Sequence, residues 1–145
     1  MRITSYSDYA LRVLIYLATD PERKTTIGEI AATFDISKNH LMKVVHQLSR
    51  LGYIESVRGK NGGLRLQQPP AEINLGVLFR QTETDLSLVE CFTDDNTCRI
   101  TPMCELKHIL AEAQQAFIDT LARHSLADLV TSRHQPELVR MLALN

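Results

Sequence analysis

Three cysteines carry the most distinctive chemistry in this chain, and they lie together in one short segment. Cys91, Cys98 and Cys104 are separated by six and five residues. Zinc sites use closer cysteine pairs, typically about two to four residues apart, so this spacing fits structural zinc poorly. Soft thiolates on a wide loop suit an iron–sulfur cluster, which normally takes a fourth ligand. The candidates for that ligand are Asp94, Glu105 and His108 nearby and Asp8 from another chain.

Other roles for the three cysteines stay open on these residues alone. A disulfide between Cys91 and Cys98 would leave Cys104 free and make the loop a thiol redox switch. Against this, the carboxylates of Glu90 and Asp94 disfavour the thiolate that such a switch requires, although nearby basic residues partly oppose them. A zinc site and inert cysteines are the remaining alternatives.

The charges divide the chain into a basic and an acidic part, although the net charge is only −1. Residues 38–65 contain six Lys or Arg and a single acid, whereas residues 72–119 contain nine acids and three bases. Local charge decides whether a surface attracts phosphate groups. We therefore expect the first half to bind nucleic acid and the second half not to.

The segment that follows Ser37, its predicted N-cap, has the pattern of a DNA-recognition helix. Its apolar residues keep helical spacing from Leu41 to Leu51, and the opposite face carries amide, imidazole and basic side chains. Such groups hydrogen-bond to base edges or meet phosphates, and a recognition helix presents its first residues to the bases. The predicted readers are Ser37, Asn39, His40 and Lys43. A solvated polar face on an ordinary surface helix is the alternative.

A basic hairpin is predicted directly after this helix. Residues 53–58 and 64–67 have the pattern of strands, and the glycine-rich turn between them tolerates positive φ. Arg58, Lys60 and Asn61 would lie at the tip, where they can approach a DNA backbone or enter a minor groove. A turn that merely increases solubility is the alternative.

The predicted elements follow the order helix, helix, helix, hairpin, which is the order of a winged helix-turn-helix domain. Ser5 is predicted as the N-cap of the first helix, with Asp8 at the capping-box position. Thr26 begins the second helix with a capping box of its own. These elements predict a mostly α fold with a small β wing.

A boundary between two regions is predicted at the proline pair that precedes residue 71. We expect a winged helix-turn-helix DNA-binding domain over residues 1–70, and a cluster-binding loop with a dimerisation helix over residues 71–145. The long C-terminal dimerisation helix would run from Cys104 to about Arg123 and cross its twin in a homodimer. Packing of its apolar stripe within one chain is the alternative. The stripe consists of Leu106, Ile109, Leu110, Ala113, Phe117 and Leu121.

Length and composition exclude several classes of protein. A chain of 145 residues that is 44% hydrophobic can bury one core and one helical appendage. Its longest apolar run is far below the about 18 residues of a membrane span. The first residues lack the apolar core of a signal peptide, and an odd number of cysteines suits a reducing compartment, so we expect a cytoplasmic protein. The sequence shows no catalytic constellation, so a redox enzyme or electron carrier is the less favoured function.

The motifs together resemble the nitric-oxide-sensing repressors of the winged-helix iron–sulfur regulator family, which also includes regulators of cluster assembly. The resemblance covers nearly the whole chain. It rests on residues 1–12, 37–40, 57–63, 86–91, 98–104 and 126–129.

This resemblance implies a homodimer with one iron–sulfur cluster per subunit, of the 4Fe–4S type with 2Fe–2S as the alternative. It implies that Cys91, Cys98 and Cys104 are ligands and that Asp8 of the partner subunit is the fourth. The regulators of cluster assembly use a histidine three residues after the last cysteine. Here that position is Lys107, which favours Asp8 over the neighbouring histidine.

The function that the resemblance implies is repression of nitric oxide detoxification genes. Nitric oxide would react with the cluster, displace its ligands and release the dimer from a palindromic double-stranded DNA operator. A regulator of the same architecture that senses iron or cluster supply is the alternative.

Overall fold

The structure is a computed structural model that describes residues 1–144. Within these residues the chain forms six α-helices and one two-stranded antiparallel sheet. In chain order the elements are α1 (Ser5–Thr19), α2 (Ile27–Phe34), α3 (Lys38–Arg50), β1 (Ile54–Val57), β2 (Gly63–Leu66), α4 (Leu75–Thr82), α5 (Glu105–Ala122) and α6 (Gln135–Met141). The predicted mostly α fold with a small β wing is confirmed. Every helix in the described part of the chain is too short or too polar to span a bilayer.

The predicted start of α2 is confirmed at the level of individual hydrogen bonds. The Thr26 hydroxyl accepts from the Glu29 amide at 3.2 Å, and the Glu29 carboxylate accepts from the Thr26 amide at 2.8 Å. These bonds satisfy two amides that a helix start leaves without a partner. They hold the pKa of Glu29 below its ordinary value, because the Thr26 amide donates to its charged form.

The predicted start of α1 is wrong by one residue. Thr4, not Ser5, is the N-cap, and its hydroxyl accepts from the Ser7 amide at 3.2 Å. With Thr4 as the cap, Asp8 lies one residue beyond the capping-box position, and its carboxylate pairs with the guanidinium of Arg12 at 2.8 Å, one turn along the helix. Thr4, Ser5 and Ser7 all carry hydroxyl groups that could cap this helix, and a hydrogen bond from Thr4 to the distant Glu83 favours Thr4.

The wing is anchored to the segment between α1 and α2. Strands β1 and β2 pair in register from Ile54 opposite Leu66 to Val57 opposite Gly63. Thr25 adds a bridge on the other side of β2, exchanging two backbone hydrogen bonds with Leu64. The approach is so close that a Cβ at Gly63 would lie 3.0 Å from the Thr25 carbonyl oxygen. The hairpin is therefore anchored through β2, close to its turn.

One hydrophobic cluster includes residues from both sides of the predicted boundary. Leu14, Leu41 and Leu48 from α1 and α3 are fully buried in it together with Ile73 and Leu126 from beyond the boundary. The predicted division into residues 1–70 and 71–145 stays a prediction, and its last residue, Asn145, lies outside the described residues.

Helix α5 packs along α4 through a close contact between the two helices. The rings of Phe79 and Phe117 meet edge to face with centroids 5.3 Å apart. A Cβ at Gly76 would lie 2.7 Å from the Cα of Ala122, so only glycine permits this approach. This contact fixes the end of α5, whereas most residues at its beginning, next to Cys104, are exposed.

Candidate functional site

The predicted DNA-reading residues lie together on the exposed side of α3. Burial of Leu41, Val44, Val45 and Leu48 fixes the rotation of this helix about its axis. Ser37, Asn39, His40 and Lys43 are all exposed as a consequence. Ser37 is also the N-cap, and its hydroxyl accepts from the His40 amide at 3.4 Å. Their contact with bases stays a prediction.

The predicted wing-tip residues are also exposed. Arg58, Lys60 and Asn61 lie between the two strands and outside the core. The Lys24 ammonium group donates to the Asn61 carbonyl oxygen at 3.0 Å and thereby holds the tip. Lys38 on α3 and Gly59 in the wing line the same surface groove, so the helix and the wing are neighbours. A basic helix beside a basic hairpin is an arrangement that can follow a DNA backbone.

Sequence reasoning missed Lys24 on this surface, and it counted Lys38 in the basic segment without naming it among the predicted DNA contacts. Lys24 was outside the basic segment that starts at residue 38, and only the fold brings it to the wing. Lys38 is exposed in the first turn of α3, directly after the N-cap. Its position beside Ser37 was a signal that could have found it.

The cysteines lie in the irregular segment between α4 and α5, as predicted. All three are free; Cys91 and Cys104 are half-buried and Cys98 is exposed. Among residues 1–144, no group of three or more His, Cys, Asp or Glu side chains is close enough to hold a metal ion. Asp94, Glu105 and His108 are exposed and do not complete such a group. A single chain therefore presents the thiol donors of the predicted site without bringing them together.

Polar side chains hold the cysteine loop in shape. The Glu90 carboxylate accepts from both the amide and the hydroxyl of Thr97 at 2.7 Å each, which holds the pKa of Glu90 below its ordinary value. Asn96 accepts from the Cys98 amide at 3.1 Å and donates to the Thr101 hydroxyl at 2.9 Å. That hydroxyl donates in turn to the Cys98 carbonyl oxygen at 2.8 Å. The loop is folded by local hydrogen bonds and contributes little to the hydrophobic core.

Cys104 occupies a favourable place for an anionic ligand. It is the N-cap of α5, where the first backbone amides point out of the helix. Helix N-termini stabilise negative charge, and a thiolate bound to metal carries such charge. The chemistry of three thiols, one of them at a helix start, fits the soft donors of an iron–sulfur cluster.

Asp8 lies on α1 with 39% of its side chain exposed, and its carboxylate is paired with Arg12 at 2.8 Å. The Arg12 guanidinium carbon lies 5.8 Å from the ring centroids of both Tyr9 and Phe34. The partial exposure leaves Asp8 accessible to a second chain. The ligand role of Asp8 stays a prediction.

Glu83 is a buried carboxylate that sequence reasoning missed. It is 7% exposed and directly follows α4. It accepts hydrogen bonds from the Thr4 amide and hydroxyl, both at 3.1 Å, and from the Ser7 hydroxyl at 2.6 Å. The contact decides which residue caps α1, and it links the start of that helix to the segment leading into the cysteine loop. The two ends are 79 residues apart along the chain, so no local signal could have revealed it.

The apolar stripe of α5 has a half-buried part and an exposed part. Leu110, Phe117 and Leu121 are half-buried against the rest of the chain. Leu106 is 60% exposed and Ile109 is 59% exposed, and Ala113 and Ala116 farther along the helix are exposed as well. Ile100 and Met103, in the segment that precedes the helix, are also exposed apolar residues. We call Ile100, Met103, Leu106, Ile109, Ala113 and Ala116 the outer face.

Comparison with known proteins matches nearly the whole chain. The Rrf2 family model, described as "Iron-dependent Transcriptional regulator", matches residues 3–132. The chain is 53% identical over 135 residues to the HTH-type transcriptional regulator NsrR of Geobacillus kaustophilus, with 92% of each chain covered. It is 46% identical over 146 residues to the regulator of the same name from Bacillus subtilis, with 99% of each covered.

Solved structures give the same fold. The global cysteine regulator CymR of B. subtilis superimposes with a TM-score of 0.72 at 26% identity, covering 90% of this chain and 96% of that one. The IscR of T. potens superimposes with a TM-score of 0.71 at 22% identity, covering 90% of this chain and 86% of that one. At that identity the second likeness concerns the fold alone.

Proposed function

Because the chain belongs to the Rrf2 family of transcriptional regulators, we propose that it is a cytoplasmic, homodimeric repressor controlled by an iron–sulfur cluster and released from DNA by nitric oxide. The observation that carries this proposal is the cysteine loop. It presents three free thiols, one of them at the start of α5, in a chain about half identical to regulators named NsrR. The genes under its control would be those of nitric oxide detoxification.

The cluster ligands in this proposal are Cys91, Cys98, Cys104 and Asp8 of the partner subunit. A cluster of the 4Fe–4S type fits four ligand positions, and 2Fe–2S is the alternative. Two observations support the shared set. The described residues of one chain hold no complete metal-binding group, and the Asp8 side chain is 39% exposed on α1.

The dimer interface in this proposal is the outer face of α5. Met103 is 87% exposed and Ile100 66% exposed, and both closely precede the exposed Leu106 and Ile109 in the chain. Several large exposed apolar side chains on a small protein are a common sign of a protein–protein interface. Packing two α5 helices symmetrically would bury these side chains from both chains. It would also hold the two loops in one assembly.

DNA recognition is assigned to α3 and the wing. Ser37, Asn39, His40 and Lys43 would read bases in the major groove, while the wing tip would contact the backbone or the minor groove. The wing-tip residues are Arg58, Lys60 and Asn61. Two copies of α3 in a dimer would fit half-sites of a palindrome about 34 Å apart.

In sensing, the dimer would hold the cluster through four side chains, or release it when those side chains are displaced. A bound cluster supplies iron that reacts with nitric oxide, a neutral radical. Once Asp8 is released, its carboxylate can pair fully with Arg12, and the loop keeps only the hydrogen bonds among its own residues. Two arrangements of the dimer with different DNA affinity then exist, and ligation favours the one that binds.

The first experiment is the visible absorption spectrum of anaerobically prepared protein, with iron and sulfide assayed on the same sample. We expect a broad band near ~400 nm and about four irons per chain. Operator affinity is then measured while nitric oxide is added. The matched control is the triple variant Cys91→Ala, Cys98→Ala, Cys104→Ala, which should be colourless and fail to respond. Intact regulation in that variant would reject the cluster.

The proposed partner ligand is tested by Asp8→Ala. We expect this dimer to fold and to lose iron under nitric oxide and oxygen faster than the unmutated protein. Asp95→Ala is the control, because Asp95 is an exposed carboxylate of the loop and is not among the ligand candidates. If Asp8→Ala retains iron as well as the unmutated protein, Asp8 is not the fourth ligand and His108 is the next candidate.

A second candidate function is sensing of iron or cluster supply by the same architecture. The description of the family as iron-dependent favours it. The two functions differ in the signal that releases the operator. Release by nitric oxide at constant iron supports the first, whereas release by an iron chelator without nitric oxide supports the second.

A further inference from the structure

One large apolar side chain is exposed on the proposed DNA-reading surface. Met42 lies in the second turn of α3 and is 48% exposed. Across residues 27–66, all of which the structure describes, every other large apolar side chain is buried or half-buried. Met42 is therefore the one large apolar group that the helices and the wing of this region offer to a ligand.

The fold does not account for an apolar residue at this position. Met42 belongs neither to the hydrophobic cluster nor to the half-buried side chains that pack against it. Apolar surface stabilises a fold in proportion to the area removed from water, and about half of this side chain stays in water. Glutamine and lysine form helices about as well as methionine, so a polar residue would serve the helix equally. The inward face of α3 is supplied by Leu41, Val44, Val45 and Leu48.

The neighbours of Met42 on the helix surface are polar residues of the reading surface. Side chains three and four residues apart on a helix lie next to each other, so Met42 is adjacent to Asn39 and Lys38. His46 follows one turn later, and all three neighbours are exposed. Lys38 also lines the groove that α3 shares with the wing. A base pair that reaches the predicted reader Asn39 would therefore cover Met42 as well.

The major groove of DNA offers one kind of apolar partner to such a side chain. The base edges there present hydrogen-bond donors and acceptors, and the C5-methyl group of thymine is the apolar exception. Contact between a thioether and a polar base edge would strip water from that edge without replacing its hydrogen bond. Contact with the methyl group removes water from two apolar surfaces at once. The flexible, unbranched side chain of methionine can adapt to the position of the methyl group.

We propose that Met42 is a specificity-determining residue that reads the C5-methyl group of one thymine in each half-site of the operator. This inference rests on the proposed function, since it takes α3 as the recognition helix. Asn39 and Lys43 would supply hydrogen bonds to neighbouring bases. Met42 adds a contact that favours a thymine over any base without a methyl group, and it does so without a charge or a hydrogen bond.

The contact is tested by replacing operator thymines with uracil, one position at a time, because this change removes only the methyl group. The operator is first selected from random duplex DNA with the unmutated dimer. At one position in each half-site, uracil should weaken binding about fourfold, the loss expected for one buried methyl group. In Met42→Ala the same replacement should cost nothing further, because the partner of the methyl group is gone. Met42→Leu is the matched control, since it keeps an apolar side chain and should keep the uracil effect.

Two further measurements distinguish a methyl contact from an electrostatic or a folding effect. The slope of log affinity against log salt should be the same in Met42→Ala and in the unmutated protein, because no cation is lost. Met42→Gln keeps the length of the side chain and introduces an amide, the group that pairs with an adenine edge. Selection from random DNA with Met42→Gln should therefore lose the thymine at this position, whereas selection with Met42→Leu should retain it.

The inference and the proposed function fail in different ways. Uracil effects of equal size in the unmutated protein and in Met42→Ala at every thymine would overturn the role of Met42, and so would the absence of any uracil effect. Both results leave α3 as the recognition helix, provided that the unmutated dimer prefers the selected operator over unrelated DNA. If the dimer shows no such preference, the proposed function fails, and the role of Met42 fails with it.

Discussion

The DNA-binding surface and the cysteine loop are built in opposite ways. Helix α3 is fixed by four buried apolar side chains, and the wing is fixed by pairing with Thr25. The cysteine loop contributes no residue to the hydrophobic core and is held by polar contacts such as Glu90 with Thr97. Burial sets a geometry that is stable in any state of the protein, whereas local hydrogen bonds open at small cost. The proposed reading surface is thus preformed, and the proposed sensing region is the part that can change.

The largest expected effect comes from a substitution that removes a buried side chain of α3. Leu41 is fully buried beneath the recognition face of α3. Leu41→Ala should lower the free energy of unfolding by about 2–5 kcal/mol, because it leaves a cavity between α3 and the core. Met42→Ala is the matched control, since Met42 is 48% exposed on the same turn. Urea unfolding measures both, and equal losses would show that α3 is not fixed by burial.

The sequence predicted the preformed region well because its signals are local. The Thr26 capping box and the Ser37 N-cap each lie within four residues of their partners, and both are confirmed. The family resemblance, which rests on segments such as residues 37–40 and 98–104, is confirmed by the match over residues 3–132. The cap of α1 was mispredicted because Glu83, from the far side of the chain, decides between Thr4 and Ser5.

The sequence predicted the second region less completely, because neighbouring elements decide its details. A helical pattern places Leu106 and Phe117 on one broad stripe, and only the packing of α4 turns Phe117 inward while Leu106 stays 60% exposed. The thiol donors can be identified in the sequence. Their arrangement around a cluster cannot, because the described residues of a single chain form no complete metal-binding group. The ligand set and the reading residues therefore stay predictions.

The next largest effect on stability is expected at Glu83, which links the start of α1 to the segment that leads into the cysteine loop. Glu83 accepts three hydrogen bonds from Thr4 and Ser7 while 7% exposed. Glu83→Gln replaces a charged acceptor by a neutral one and should cost about 1.5–3 kcal/mol of stability. Glu72→Gln is the control, because Glu72 is exposed. Thermal unfolding of both variants is the measurement, and a melting temperature of Glu83→Gln equal to that of Glu72→Gln would mean that the regions are joined elsewhere.

A smaller effect is expected at the wing tip, which is exposed although the hairpin is anchored through β2. Lys60→Ala should weaken binding to all DNA sequences and reduce the slope of log affinity against log salt by about one, because one phosphate contact is lost. Titrations at several salt concentrations with operator and unrelated DNA measure this. Lys107→Ala, on α5, is the control. An unchanged slope in Lys60→Ala would remove the wing tip from the DNA interface.

The smallest expected effect is confined to the loop and depends on pH. Hydrogen bonds from Thr97 hold the pKa of Glu90 below its ordinary value. Because the folded loop favours the charged carboxylate, this contribution is fully present above the ordinary pKa and is lost as the pH falls through the lowered one. The Thr97 amide NMR signal should therefore titrate with a midpoint below that of glutamate in an unstructured peptide of the same sequence.

Thr97→Val sharpens this test, since it removes the hydroxyl donor and keeps the backbone amide that donates at 2.7 Å. The midpoint should move part of the way back toward the ordinary value, because one of the two hydrogen bonds to Glu90 remains. The chemical shifts of α3 should stay constant through the same titration. Shifts of α3 that follow the Glu90 midpoint would show that the reading surface responds to the loop within a single chain. The switch would then not require the second subunit to carry it.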